Sequence, residues 1–367
     1  MPVGFARRVA LVVCNTALLA SLSSCGSSGD SSTQPPGPGA TTGSLTVTVS
    51  GLPTDVTPSV TVTGPSGYTQ TFGATRTLTG LSAGAYTVTG ARVANLSIGY
   101  DAPAVSATVS AGATAAASAA YAVRVLPRST TNRTDESTAS RVKVMYALPS
   151  DGADRNFDTD GTLHRTLSSG QRWLASQTAG RSVRYDVADG ALDITFVRLP
   201  RSDAAYYGYG IYIRDSIEKD LKAAGWNQAN VILLAFYDGR HVDRCGSSST
   251  PPTLPGNLAA VYLKGLPNGV IPCANNAFAA TPTAAPTYWE FLTQHELFHA
   301  LGFVGPTAPG YTSSGHVGAD PADLMYAGSS VWRPATVDVS KTNYYSPTAL
   351  AANVPNFITS PYVVAAP

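Results

Sequence analysis

Apolar and polar positions alternate in the first patterned segment of the chain. Leu45, Val47 and Val49 share one side, and Thr46, Thr48 and Ser50 the other. A period of two predicts a half-buried strand. The pattern returns at Val60-Thr61-Val62, at Thr77 to Leu81 and at Tyr86-Thr87-Val88, with turn signals at Gly64-Pro65-Ser66-Gly67 and Gly84. Ala107-Thr108-Val109 and Ala115 to Val123 predict a closing hairpin around Gly112. Short strands at this spacing predict an antiparallel β-sandwich over residues 44–125.

A polar stretch, residues 126–141, reads as a linker, and beyond it the texture changes. Val142 to Ala147, Leu192 to Leu199, Val231 to Tyr237 and Leu258 to Leu263 predict strands. The unbroken apolar run at Val231 to Tyr237 is expected of a strand buried on both faces. Leu163 to Gln177 has helical period, with Asp160 or Thr162 placed to cap it. Ile211 to Ala224 and Thr287 to Leu301 predict two more helices, ended by Gly225 and Gly302. The fold class expected is therefore mixed, a β-sandwich followed by an α/β domain over residues 142–367.

Composition narrows the setting. Charged residues are only 13% of the chain and the net charge is +1, with no basic run, so nucleic acid is not an expected partner. Arg7 and Arg8 followed by the apolar stretch Val9 to Leu22 read as an export signal. Leu22-Ser23-Ser24-Cys25 resembles the lipobox of bacterial lipoproteins, which implies lipid on Cys25 and anchoring at the cell envelope. Gly26 to Gly43, rich in Ser, Gly, Pro and Thr, reads as a spacer. The sandwich resembles the prealbumin-like or immunoglobulin-like modules of bacterial surface proteins. After Cys14 and Cys25, only Cys245 and Cys273 remain, and two thiols in an oxidising compartment are expected to pair. A monomer is expected.

The chemistry concentrates in His295-Glu296-Leu297-Phe298-His299. Two His four apart lie on one helical face, so both imidazoles can reach one Zn²⁺, with Glu296 beside them as a general base. With five His and four Glu in the chain, a chance match is roughly a one-in-a-thousand event. The run His295 to Gly302 resembles the zincin metallopeptidases, and the Gly after the second His resembles their metzincin branch. That resemblance implies zinc, a protein or peptide substrate, and a third ligand three residues after Gly302. Gly305 stands there and cannot ligate.

The third ligand must come from Gly315 to Tyr326, which offers His316, Asp320 and Asp323. His316 is favoured, because imidazole is the commoner third ligand in that branch. Leu324-Met325-Tyr326 resembles the Met turn beneath the metal, with core packing the expected role of Tyr326. A third ligand from a Glu on a later helix is excluded, because no Glu follows Glu296. The resemblance also implies an edge strand laying out the substrate, expected at Leu258 to Leu263. His164 and His241 are expected to be structural. Asp154, Asp158 and Asp160 suggest helix capping ahead of a calcium loop. The function expected is a zinc endopeptidase; a surface binding lipoprotein with an inactive zincin-like domain is the alternative.

Overall fold

A computed structural model describes residues 41–134, 137–267 and 271–365. The signal, Cys25 and most of the Gly26 to Gly43 spacer lie outside the described residues.

The sandwich is built from two sheets. Thr42–Ser50 lies between Arg76–Ser82 and Thr114–Ala120. The second sheet runs Thr69–Phe72, Val60–Thr63, Gly84–Gly90, Val105–Val109. Leu45, Val47, Val60, Val62, Tyr86 and Val88 fill the space between them. Three expectations change here. The first strand starts at Thr42, inside the expected spacer. It pairs in parallel with Thr114–Ala120, Leu45 opposite Ala115, so the sandwich is not wholly antiparallel. The expected hairpin at Gly112 is instead a crossover, because Val105–Val109 pairs with Gly84–Gly90 in the other sheet. Alternation fixes which face is buried but says nothing about which strand is the partner.

The second half is organised on a five-stranded sheet. Its strands are β1 (Arg141–Leu148), β2 (Ile194–Arg198), β3 (Val231–Tyr237), β4 (Gly246–Thr250) and β5 (Leu254–Tyr262). The order is β2-β1-β3-β5-β4, parallel throughout except for β4, which runs antiparallel to β5 at one edge. Helices α1 (Thr162–Gln177), α2 (Ile213–Ala223) and α3 (Tyr288–Ala300) cover it. Leu233, Ala235 and Tyr237 of β3 pack in the core that contains Ile213, Ile217 and Leu221 of α2. Leu234 and Phe236 pack in the other core, with Leu163, Leu167 and Leu174 of α1 and Leu297 of α3. Burial on both faces explains the unbroken apolar run.

The expected substrate edge is wrong by one strand. Leu258 to Tyr262 lies in β5, which is hydrogen-bonded on both sides, and β4 is the edge. The reason is that Gly246-Ser247-Ser248-Ser249-Thr250 carries no apolar alternation to read.

The expected linker is also tied down. Arg128 pairs with Asp154 and Asp158, and Arg133 with Asp193, while Ser129 bridges Thr195. The sandwich core runs into the second half, where the Tyr100 hydroxyl lies 3.3 Å from Ser168 Oγ and Arg92 pairs with Asp189. Arg128 occupies the acidic loop that a calcium ion would need. The expected helix cap also changes: Gly161, in the left-handed region, is the N-cap of α1 and has no side chain to cap with, while Asp160 Oδ1 accepts the Thr162 amide at 2.7 Å from one position earlier.

Candidate metal centre

α3 begins with a capping box. Thr287 accepts from the backbone of the first turn, and the Glu290 carboxylate accepts the Thr287 amide at 2.9 Å. Almost every residue from Trp289 to Ala300 is buried, because the sheet, α1 and the C-terminal loops enclose the helix. Gly302 ends it in the left-handed region at φ 78, which turns the chain away from the helix axis.

The chain then loops back and delivers His316 to the same place as His295 and His299. His299 Nε2 lies 3.1 Å from His295 Nε2 and 3.1 Å from His316 Nε2. Three ligand nitrogens at 2.0–2.1 Å from a tetrahedral zinc would stand about 3.3–3.4 Å apart. Proton accounting points the same way. His295 Nδ1 is 2.7 Å from Leu324 O and His316 Nδ1 is 3.2 Å from Ser313 O; a carbonyl only accepts, so both Nδ1 atoms carry the protons. Both Nε2 atoms therefore present lone pairs to His299 Nε2, which has at most one proton to give. A cation satisfies all three nitrogens and a hydrogen bond satisfies two. Burial drives the His295 pKa down to about 3, His299 well below its ordinary value, and His316 down as well, so the lone pairs are free at neutral pH. These three side chains can hold a metal ion.

The turn beneath them is held by Asp323. Its Oδ1 accepts from the Met325 amide at 2.9 Å and the Tyr344 hydroxyl at 2.5 Å, and its Oδ2 from the Val339 amide at 2.9 Å. Leu324 O, placed by that turn, takes the His295 proton, and Met325 O accepts the Val317 amide at 3.0 Å. One turn thus fixes His295 and the strand stub behind His316. Asp323 is consumed by this work, and Asp320 caps the Ala322 amide, so neither joins the cluster. The Tyr326 hydroxyl accepts the Ser330 amide at 3.0 Å, and the ring is buried at the cleft wall.

Gly315 stands behind His299. It is in the left-handed region at φ 80, and a Cβ on it would lie 2.8 Å from His299 Nδ1. Glycine is required on both counts.

Glu296 leans the other way, onto the edge strand. Its Oε2 accepts the Ser248 hydroxyl at 2.8 Å, and its Oε1 sits over Gly246. Burial pushes its pKa up to about 8, against the opposing pull of the Ser248 hydrogen bond and the Arg244 charge. The His cluster and Glu296 line one cleft of about 550 Å³, with β4 as one wall and Tyr288, Leu292 and Trp332 as another. Cys245, disulfide-bonded to Cys273, opens the β4 wall. His164 and His241 are buried and outside the cluster.

Sequence reasoning missed Ser248 and Gly246, because a short polar edge strand has no periodicity. It also missed the scaffolding role of Asp323, which only the convergence of three distant donors defines.

No family model and no curated protein matches the chain. Among solved structures it is similar to GBS52, the minor pilin of Streptococcus agalactiae, at 12% identity over 25% of this chain and 49% of that one, with a TM-score of 0.20. It is similar to wild-type OgpA from Akkermansia muciniphila at 16% identity over 47% of this chain and 50% of that one, with a TM-score of 0.29. A chain in a chaperone–substrate complex matches at 8% identity over 82% of this chain and 39% of that one, also with a TM-score of 0.29. The chain spans about half the length of the first two. The functional reading rests on the chain's own residues.

Proposed function

We propose that the chain is a zinc-dependent endopeptidase, exported and held at the cell envelope by lipid on Cys25. The observation that carries the reading is the meeting of three neutral imidazoles and a buried carboxylate in one cleft beside an edge strand. His295, His299 and His316 would hold the metal, and three nitrogen ligands with the cleft side left open match a catalytic zinc site. When bound, zinc supplies a Lewis acid for the scissile carbonyl and lowers the pKa of a water toward about 7.

The chain's own residues do the rest. The outward-facing N–H and C=O groups of β4, an edge strand among the described residues, would take an extended substrate backbone, so binding depends little on side chains. Ser248 fixes the Glu296 carboxylate by its hydrogen bond to Oε2. Glu296 then takes the proton of the attacking water and returns it to the leaving amine. Burial raises the Glu296 pKa, which favours its return of the proton to the leaving amine.

The test is zinc content and peptide hydrolysis in the protein starting after Cys25, set beside His316→Ala and Glu296→Gln. One zinc per chain, its loss in His316→Ala, and retained zinc without hydrolysis in Glu296→Gln are expected. A parent that takes up no zinc when supplied with it sinks the reading and leaves a binding lipoprotein.

A further inference from the structure

Arg244 is the one cation among the described residues that line the cleft, and the peptidase chemistry does not use it. It stands on a fixed backbone. Cys245, next in the chain, is bonded to Cys273, and Cys245 O accepts the Tyr262 amide at 2.7 Å. The side chain is 49% exposed and two of its five N–H donors are already oriented. Nε donates to Asp243 Oδ1 at 2.7 Å and Nη2 to Asp243 Oδ2 at 2.9 Å.

A guanidinium has five N–H groups in a planar fork, and this pairing uses one edge of it. Nη1 has no acceptor among the described residues, so the Nη1–Nη2 edge is open. Asp243 holds the plane rigid, which lowers the entropy lost when a second carboxylate docks. Arg244 lines the same cleft as Glu296 and His316.

We propose that Arg244 is a specificity residue whose open guanidinium edge binds a peptide carboxylate lying along β4. A segment paired antiparallel to β4 runs from the Thr250 end toward Gly246, so its C-terminal part reaches Arg244. The carboxylate is thus an acidic side chain or the chain terminus on the leaving-group side of the cleft. This deepens the peptidase reading and rests on it.

The experiment uses four hexapeptides of one sequence, with Glu or Gln near the C-terminus and with a free or amidated end. Their binding to the Glu296→Gln protein is measured by calorimetry, with and without Arg244→Gln or Arg244→Lys, each variant checked for the parent's melting temperature. A drop in affinity of about tenfold or more on Glu→Gln in the peptide, abolished by Arg244→Gln and only partly restored by Arg244→Lys, assigns an acidic side chain. The same drop on amidation assigns the terminus. Equal affinities, a preference that survives Arg244→Gln, or binding of none of the four overturns the proposal. Turnover by the Glu296 protein separates it from the parent reading. Cleavage indifferent to Arg244 keeps hydrolysis and removes this inference, whereas Arg244-dependent binding without cleavage does the reverse.

Discussion

Glu296 Oε1 lies so close over Gly246 that a Cβ built there would stand 2.3 Å from it. The edge strand and the carboxylate therefore share one volume, and glycine is what lets them. Gly246→Ala should push the carboxylate off its Ser248 hydrogen bond while leaving the three His untouched. We expect zinc content equal to the parent and kcat/KM lower by about 100-fold, as for other displaced catalytic groups. Equal kcat/KM in the two proteins would remove Glu296 from the chemistry.

Gly315 makes the matching prediction for the metal. Its left-handed φ and the 2.8 Å approach to His299 Nδ1 both penalise a side chain. Gly315→Ala should weaken zinc binding by about 10–100-fold, the range for changes next to a metal ligand. Competition with a chromophoric chelator measures it. Unchanged affinity would mean that the loop carrying His316 adapts freely.

Asp323 supports the site without touching it. Asp323→Ala leaves the Met325 and Val339 amides and the Tyr344 hydroxyl without their acceptor. At about 1–3 kcal/mol for each buried unpaired group, a stability loss of about 3 kcal/mol or more is expected in denaturant unfolding. Zinc affinity should fall with it, because Leu324 O would no longer orient His295. A variant that stays as stable as the parent but loses zinc would identify Asp323 as a ligand after all.

Acid sensitivity follows from His164, which is buried with neither ring nitrogen hydrogen-bonded among the described residues. Burial lowers its pKa to about 4, and the neighbouring Arg165 charge adds to this. The unfolded chain takes up the proton near its ordinary value of about 6.5, and the fold does not. The stability from this group is complete above about pH 6.5 and is lost as the pH falls toward 4. Between pH 7 and 4.5 the parent should lose about 2–3 kcal/mol more than His164→Leu in urea unfolding. Parallel decline of the two proteins would place the acid sensitivity elsewhere.

The sequence alone determined most of the strands and helices and the candidate metal-binding residues, because strand period, helix period and the His295/His299 spacing are all local. The apolar run at Val231 to Tyr237, the helix around His295 and His299, and the scarcity of ligand-type residues after Gly302 could be read without coordinates. His316 followed from the last of these together with the family resemblance, and the structure brings its Nε2 to His299. The tertiary structure decided everything that depends on partners far apart in the chain. Alternation could not show that Thr42–Ser50 pairs in parallel with Thr114–Ala120, or that β5 is covered by β4. Glu296 meets Ser248 across 48 positions, and Asp323 meets Tyr344 across 21. Periodicity reports the environment of one segment at a time. The edge that faces the cleft, the glycines that make room for Glu296 and His299, and the carboxylate that holds the turn are set by packing between segments.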